Sequence, residues 1–336
     1  TTDKNKADVV VITTCGVRQS AEDRVYGLAP KIKKENPKVK IIITGCLSQR
    51  KDVRKRLEKY VDIWMPVAEI SNFKFQISNK IQNPKEVKKI KRPYKNYLSV
   101  IPKYTSKFSA FVPIGNGCDN FCAYCVVPYA RGREIYRPAE EILAEVQGLV
   151  NRGYKEIVLI AQNVNSYNFQ FFPPQRDPVK AVANFNFSRL SGTPSRRWQI
   201  SNKAQNPKSK IVNFSGLLKM VNNISGNFWI RFATSHPRDM SDELIKTIAE
   251  CEKVCRHIHL PAQAGDDEVL RRMNRKYTIE HYKKLIKKIG EKLNPPTPPL
   301  LRGAGGNWTP PVSITTDIIV GFPGETRKQF NNTAKL

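Results

Sequence analysis

Short apolar runs that suit β-strands alternate with helix-like segments along most of this chain. From residue 108 onward, candidate strands lie at 111–114, 156–160, 228–232, 256–260 and 314–320, and candidate helices at 138–152, 215–223, 241–250, 266–273 and 278–290. Strict alternation of the two predicts parallel βα units with right-handed crossovers. The chain is therefore predicted to be α/β, with a partial TIM-type, (βα)6-like barrel whose chemistry lies at the carboxyl ends of its strands.

The first 70 residues have the same pattern on a smaller scale. Strands are expected at 9–12, 41–43 and 62–65, with a helix at 20–35. This predicts a small parallel α/β domain over residues 1–70. Cys15 and Cys46 follow its first two strands directly. Because the carboxyl ends of parallel strands meet at one edge of a sheet, both cysteines are expected at the same edge.

The segments between these elements differ in composition. Residues 71–107 are polar and rich in lysine, which predicts a basic linker before a second domain at 108–336. Two stretches, near 168–213 and 294–311, lack periodicity and are predicted to be insertions within that second domain.

Charge and cysteine content limit the classes of partner and compartment. The chain has 57 Lys and Arg against 29 Asp and Glu, a formal net charge of +28. Such an excess favours a polyanion, nucleic acid before an anionic membrane, although an ordinary solvated surface explains part of it. No apolar stretch approaches the ~20 residues of a membrane span, so no membrane partner is expected. Seven cysteines do not suggest a secreted disulfide framework, and a cytoplasmic location is predicted.

Three of the cysteines, Cys118, Cys122 and Cys125, lie within eight residues. A structural zinc site needs four ligands, so three thiolates do not close it. A [4Fe–4S] cluster is held by cysteine thiolates, and with three of them one iron stays open for another ligand. A zinc knuckle or chance clustering remains the alternative at this point.

The spacing of these cysteines, with Tyr124 before the last, resembles the signature of radical S-adenosylmethionine (SAM) enzymes. Further motifs resemble the methylthiotransferases, a radical SAM family with two iron–sulfur clusters. These motifs lie at 7–10, 14–18, 45–46, 117–134, 162–167, 234–237, 259–261 and 321–326. Their order along the chain is that of the family, and the motifs at 162–167 and 234–237 favour its tRNA-modifying branch.

The resemblance implies roles for nine residues. The first [4Fe–4S] cluster, which would cleave SAM to a 5′-deoxyadenosyl radical, would be held by Cys118, Cys122 and Cys125. A second, auxiliary [4Fe–4S] cluster, which carries the sulfur to be inserted, would be held partly by Cys15 and Cys46. The SAM pocket would include Tyr124, Gln162, Asn163 and Ser235.

The implied function is a transferase reaction on tRNA. A methylthio group would be added to carbon 2 of N6-isopentenyladenosine next to the anticodon, at position 37. The expected partners are the tRNA anticodon loop and an electron donor such as flavodoxin or ferredoxin, and a monomer is expected. Three alternatives remain open: another modified adenosine, a ribosomal-protein aspartate, and a non-catalytic, metal-stabilised RNA-binding module.

The chain departs from the family pattern at three places. The family's first auxiliary cysteine precedes the first strand, and the last barrel unit and a C-terminal RNA-binding TRAM domain follow the barrel. Neither falls within these 336 residues, so a fragment truncated at both ends, inactive in sulfur transfer, is expected. Ala264 and Asp266 replace two serines of the family, and the loss of two hydroxyls together with the gain of a carboxylate is predicted to weaken a polar contact to SAM.

Overall fold

The protein forms two compact units. The structure, a computed structural model, describes residues 7–16, 19–66, 98, 102, 104–171, 210–294 and 311–336. The first unit contains the described residues before 104 together with Asn116–Ile135 and Met273–Arg275, and the second contains Tyr104–Gly115, Tyr136–Arg272 and Lys276–Leu336. Most of the predicted linker and the interiors of both predicted insertions lie outside the described residues. The boundaries 1–70, 71–107 and 108–336 stay predictions.

A three-stranded parallel sheet organises the N-terminal part of the first unit. Its elements are β1 (Val9–Thr14), α1 (Gln19–Glu35), β2 (Lys40–Gly45), α2 (Lys51–Leu57) and β3 (Ile63–Met65). The strand order is β1-β2-β3, and both pairs are parallel. The predicted small parallel α/β domain is therefore confirmed in this region, and α2 is an additional short helix.

The core of this sheet follows from the spacing of its apolar residues. Ile41 and Ile43 alternate along β2 and are fully buried, while Val25, Ala29 and Ile32 form one buried face of α1 at helical spacing. Both sets belong to one hydrophobic cluster. Strands with β-branched residues and a helix with a single apolar stripe bury these faces only by packing against each other.

The remaining elements include the alternating strands and helices that the sequence predicts, together with several short additional ones. In chain order they are β4 (Ser109–Pro113), β5 (Gly115–Asn116), α3 (Val127–Arg131), β6 (Ile135–Tyr136), α4 (Ala139–Asn151), β7 (Glu156–Ile160), β8 (Asn168–Phe171), β9 (Lys210–Asn213), α5 (Phe214–Asn222), β10 (Trp229–Ala233), α6 (Asp242–Glu250), β11 (His257–His259), α7 (Asp267–Arg272), α8 (Ile279–Leu293), β12 (Ser313–Thr315) and α9 (Arg327–Ala334). Each of the five predicted strands and five predicted helices of this region is present, with ends shifted by a few residues.

Parallel strands form the sheet of the second unit. β4 and β10 flank β7, with Ser109, Glu156 and Trp229 in register, and β11 pairs with β12. A parallel bridge between Ile230 and Val254 joins β10 to the segment before β11. In the described part of the chain the strands therefore follow the order β4-β7-β10-β11-β12, the sequential arrangement of a partial (βα) barrel, as predicted.

The predicted insertion near 168–213 begins and ends in regular structure. β8 and β9 pair in antiparallel fashion, with Asn168 opposite Asn213. The residues between these strands, 172–209, lie outside the described residues. Neither strand is a continuous apolar run of the kind that indicated the other strands, and this ladder was not predicted. Among the described helices, none is long and apolar enough to cross a membrane.

Candidate functional site

The three-cysteine loop follows β5 and is closed on itself by backbone contacts. The Cys118 amide donates to the Gly132 carbonyl at 3.2 Å, and the Cys125 amide donates to the Cys122 carbonyl at 2.9 Å. Gly117, just before the first cysteine, has φ +84°, and a Cβ there would lie 2.1 Å from the Arg133 carbonyl oxygen. Only glycine therefore allows the chain to enter the loop at this point.

Nitrogen donors face two of the three sulfurs. The Asn120 side-chain amide lies 3.4 Å from the Cys118 sulfur, and the Arg275 guanidinium lies 3.5 Å from the Cys122 sulfur. Burial raises the pKa of the Cys118 thiol, and the hydrogen bonds from Asn120 oppose this. Burial likewise raises the pKa of the Cys125 thiol, and the positive charge of Arg275 opposes it. Thiolates, the form that binds iron, are favoured by these donors.

The residues of the loop fit an iron–sulfur cluster by their chemistry. In the described ranges no group of three or more His, Cys, Asp or Glu side chains is already gathered as a metal site. The Cys122 thiol is nevertheless among the groups that raise the pKa of both the Cys118 and the Cys125 thiols, so it lies near each of them. Three thiols on one short loop, with N–H donors directed at sulfur, form the donor set of a cluster with one open iron.

The edge that carries Cys15 and Cys46 is set by strand register. Thr14 pairs with Gly45, so the cysteines that follow these residues lie at the same carboxyl edge, as predicted. Cys46 is buried and Cys15 is exposed. The Thr14 hydroxyl donates to the Thr44 carbonyl at 2.6 Å and accepts from the Leu47 amide at 3.1 Å, which fixes the turn at Cys46.

Cys46 lies beside the three-cysteine loop within the first unit. Helix α3 contacts the turn Cys46–Gln49. A Cβ added at Gly16 would meet the Cys46 Cβ at 3.2 Å and a Val126 methyl at 3.3 Å. The Cys46 thiol is also among the groups that raise the pKa of the Cys125 thiol. The structure thus brings a cysteine of each predicted cluster into one neighbourhood.

Two predicted SAM-contacting residues lie at the carboxyl ends of neighbouring strands in the second unit. Asn163 follows β7, Ser235 follows β10, and each is 4% exposed. The two loops are joined by Asn165, whose side-chain amide donates to the His236 carbonyl at 3.0 Å and accepts from the His236 amide at 2.9 Å. Before Ser235, Thr234 has φ 73°, a strained conformation for a β-branched residue.

Unused hydrogen-bonding capacity remains at this strand edge. The Asn163 amide nitrogen donates to an Asp239 carboxylate oxygen at 2.7 Å, which leaves the Asn163 Oδ1 atom to accept. Among the described residues, Asn163 Oδ1 and Ser235 Oγ are buried without a hydrogen-bond partner. Buried polar atoms without partners are costly, and a ligand with polar groups is one way to satisfy them.

The other two residues predicted to contact SAM, Tyr124 and Gln162, are less buried than Asn163 and Ser235. Tyr124 belongs to the cysteine loop and is 38% exposed. Gln162, after β7, is half-buried and has interactions of its own. The ligand roles of all nine predicted site residues stay predictions.

Asp266 has a structural role in the second unit. Its Oδ1 atom accepts from the Glu268 and Val269 amides at 3.1 and 3.2 Å at the start of α7, and its Oδ2 atom accepts from Asn332 of α9 at 2.9 Å. Burial acts to raise the pKa of Asp266, but these hydrogen bonds outweigh it, and the pKa lies below its usual value. The carboxylate thus joins α7 to α9, and its predicted effect on SAM binding stays a prediction.

Sequence patterns did not indicate the segment Met273–Arg275, which lies far along the chain from the cysteine loop but in the same compact unit. The Met273 carbonyl accepts from the Ala123 amide at 3.0 Å. The Asn274 side chain donates to the Phe121 carbonyl at 2.8 Å. The only sequence signal was Asn274 itself, since asparagine after a helix often adopts the left-handed conformation seen here, with φ 56°.

Relatives with known names resemble this chain over nearly all of its length. A tRNA-2-methylthio-N(6)-dimethylallyladenosine synthase of Desulfitobacterium hafniense (strain Y51) is 38% identical over 98% of the chain. Enzymes of the same name from Clostridium novyi (strain NT) and Clostridium botulinum (strain Hall) are 37% identical over 99% and 100% of it. The chain spans 64% of the length of each of these relatives.

Solved structures with a similar fold are much more distant in sequence. The radical S-adenosylmethionine methyltransferase TsrM from Kitasatospora setae superposes with a TM-score of 0.60 at 13% identity, covering 98% of this chain and 59% of that one. The cobalamin-dependent S-adenosylmethionine radical enzyme OxsB superposes with a TM-score of 0.54 at 10% identity, covering 98% and 43%. These likenesses concern the fold alone.

Two family descriptions match the sequence, one near its start and one over its larger remaining part. Residues 1–66 match the uncharacterized protein family UPF0004. Residues 112–336, which include the three-cysteine loop, the end of β4 and the other four strands of the partial barrel, match the Radical SAM superfamily. By this match and its fold, the chain belongs to the Radical SAM superfamily.

Proposed function

We propose that this sequence belongs to a radical SAM methylthiotransferase that adds a methylthio group to carbon 2 of N6-isopentenyladenosine at position 37 of tRNA. The observation that carries the proposal is the composition of the first unit. It groups the three-cysteine loop with the strands that end at Cys15 and Cys46. A radical generator needs only the loop, whereas a sulfur-inserting enzyme needs a second cysteine site near it. Relatives that bear the corresponding enzyme name are 37–38% identical to the chain.

Cys118, Cys122 and Cys125 would hold the first [4Fe–4S] cluster. Its chemistry, when bound, is the one-electron reductive cleavage of SAM. The protein contributes three thiolates, the N–H donors of Asn120 and Arg275, and a loop whose entry is fixed by Gly117. Cys15 and Cys46, the first exposed and the second buried at the same sheet edge, would supply two thiolates to the auxiliary cluster.

Four residues would bind SAM. The buried acceptor Oδ1 of Asn163 and the buried hydroxyl of Ser235 suit the polar groups of an amino acid or a ribose, since neither has a partner in the described part of the chain. The Asp239 carboxylate accepts from the Asn163 amide nitrogen, so the Oδ1 atom of Asn163 is directed away from that carboxylate. Gln162 would add a further polar contact, and the exposed ring of Tyr124 would lie against the adenine.

The proposed partners follow from charge and chemistry. A net charge of +28 suits contacts with the phosphates of an anticodon loop, where unstacked bases are accessible to a protein. SAM cleavage requires an electron from a low-potential donor such as flavodoxin or ferredoxin. We propose that the chain acts as a monomer in the cytoplasm, where thiols stay reduced.

The cluster is tested by anaerobic reconstitution of the protein with iron and sulfide. We expect about four irons at the three-cysteine loop and formation of 5′-deoxyadenosine from SAM on reduction, both lost in Cys122→Ala. Cys251→Ala is the matched control, because Cys251 is a buried cysteine of the second unit that has no proposed ligand role. Bound zinc without iron, or SAM cleavage by the Cys122→Ala variant, would contradict the proposal.

The substrate is tested in cells that lack the corresponding gene. Mass spectrometry of digested tRNA should show the methylthio nucleoside return when the full-length gene is restored, and not when the gene carries Cys46→Ala. Restoration of a methylthio group on a ribosomal protein, with tRNA unchanged, would overturn the tRNA assignment.

A further inference from the structure

A three-residue segment from the second half of the chain clamps the cysteine loop. Met273–Arg275 belongs to the first unit, although the residues on either side of it belong to the second. Its backbone is tied to the loop by the hydrogen bond from the Ala123 amide to the Met273 carbonyl. The Asn274 side chain donates to the Asn120 and Phe121 carbonyls at 3.3 and 2.8 Å. Two consecutive residues therefore fix the position from which Arg275 extends.

Arg275 places a buried positive charge against a ligand sulfur. The residue is 8% exposed, Cys122 is 9% exposed, and the guanidinium Nη1 atom lies 3.5 Å from the Cys122 sulfur. The guanidinium remains charged under all ordinary conditions, because arginine does not lose its proton in proteins. Its charge also opposes the effect of burial on the Cys125 thiol. One cation thus acts on two of the three sulfurs, in a site from which water is largely excluded.

The other arginine near the loop has a different environment. Arg133 is exposed, and its guanidinium Nε atom pairs with an Asp119 carboxylate oxygen at 2.9 Å. Water and the neighbouring carboxylate screen this charge. The two arginines therefore form a natural comparison between a buried cation at sulfur and an exposed cation in an ion pair.

We propose that Arg275 is a positioning residue that stabilises the reduced state of the iron–sulfur site through its N–H contact to Cys122. The inference rests on the proposed function, because it requires that Cys118, Cys122 and Cys125 hold a cluster. Reduction by one electron from the external donor adds one negative charge to the site, and a buried cation favours the more negative state. Net charge and hydrogen bonds to sulfur are the means by which a protein sets the potential of such a site. Arg275 thereby raises the fraction of protein that is ready to cleave SAM.

The test is a redox titration of the reconstituted protein without SAM, followed by electron paramagnetic resonance of the reduced form. In Arg275→Gln, the ratio of reduced to oxidised protein at a fixed solution potential should fall about tenfold, which is about 59 mV for a one-electron couple. Arg275→Lys keeps the positive charge, so its ratio of reduced to oxidised protein should fall by less than about threefold. Arg133→Gln should leave the ratio unchanged.

The possible outcomes separate the two proposals. Wild-type protein without a four-iron cluster would overturn the proposed function itself. If wild type binds the cluster and Arg275→Gln keeps both its iron and the wild-type ratio, the role of Arg275 is wrong and the proposed function stands. If Arg275→Gln loses its iron, the lysine variant decides. If Arg275→Lys binds iron and has a ratio of reduced to oxidised protein near that of wild type, the positive charge has the proposed role. If Arg275→Lys also loses its iron, or if its ratio falls tenfold, the shape and packing of the guanidinium matter instead of its charge, and the proposal is wrong.

Discussion

The two cysteine regions of the first unit are positioned by different means. Cys15 and Cys46 follow paired strands, so the register of β1 and β2 alone places them at one edge. The loop that carries Cys118, Cys122 and Cys125 has no regular structure between β5 and α3, and it is held by turns and by Met273–Arg275 from far along the chain. A site on a sheet edge depends on local pairing, whereas a site on a loop depends on distant residues.

The largest loss of stability is expected from a substitution at Gly45, where the backbone of the sheet edge is most constrained. Gly45 has φ +92°, and a Cβ there would lie 2.2 Å from the Thr14 carbonyl oxygen. Gly45→Ala should therefore destabilise the N-terminal sheet by about 3 kcal/mol, because backbone strain and a backbone clash add. Urea unfolding, with hydrogen exchange of the β1 and β2 amides to localise the loss, measures it.

Gly27 provides the matched control for this substitution. It is exposed in α1, and nothing lies within 4 Å of a Cβ added there. Gly27→Ala should stabilise the helix by about 0.5–1 kcal/mol. Equal effects of the two substitutions would show that the Cys46 edge is not fixed by the conformation of Gly45.

A second pair of variants separates the hydrogen bonds at this edge from simple burial. Thr14→Val removes a buried hydroxyl that donates to Thr44 and accepts from Leu47, and should cost about 1–3 kcal/mol. Thr44→Val removes a buried hydroxyl that has no partner in the described part of the chain, and should be neutral or stabilising by up to about 1 kcal/mol. Thermal or urea unfolding gives both values. A larger loss of stability for Thr44→Val than for Thr14→Val would mean that the Thr44 hydroxyl, and not the Thr14 hydroxyl, stabilises the turn at Cys46.

The stability of the three-cysteine loop should depend on the segment Met273–Arg275, whereas the stability of the sheet edge at Cys15 and Cys46 should not. Asn274→Gly keeps the left-handed backbone but removes the hydrogen bonds to Asn120 and Phe121, which should cost the loop about 1 kcal/mol. Hydrogen exchange should become faster in peptides covering 118–125 and stay unchanged in those covering 9–14 and 40–45. Equally faster hydrogen exchange in the loop and in the two strands would show that the loop does not depend on distant residues more than the sheet edge does.

The smallest effect concerns accessibility and leaves stability unchanged. In the metal-free protein, iodoacetamide should modify the exposed Cys15 about tenfold faster than the buried Cys46. Mass spectrometry of time points measures the two rates, and urea-denatured protein, where the rates should converge, is the control. Similar rates in the folded protein would show that the Cys46 turn opens readily.

The sequence predicted the regular part of the fold well. Strands such as 156–160 and helices such as 278–290 carry strong apolar periodicity, and the structure has them as Glu156–Ile160 and Ile279–Leu293. The short ladder of β8 and β9 carries almost none and was missed. The structural role of Asp266 was also not predicted, because a family comparison of one position does not reveal that a carboxylate begins a helix and accepts a hydrogen bond from Asn332.

By itself, the sequence determined the residue types of the site and the order of the strands. Thiols at 118, 122 and 125 limit the metal chemistry, and alternating periodicity fixes a parallel βα arrangement, because both follow from local composition and spacing. Only the tertiary structure decided which distant groups surround those thiols. Arg275 reaches Cys122 because the hydrogen bonds of Met273 and Asn274 hold this segment against the loop. The buried oxygens of Asn163 and Ser235 lie at one strand edge because β7 and β10 pair in register. Contacts between residues far apart in sequence leave no periodic signal, since each depends on packing of the whole unit.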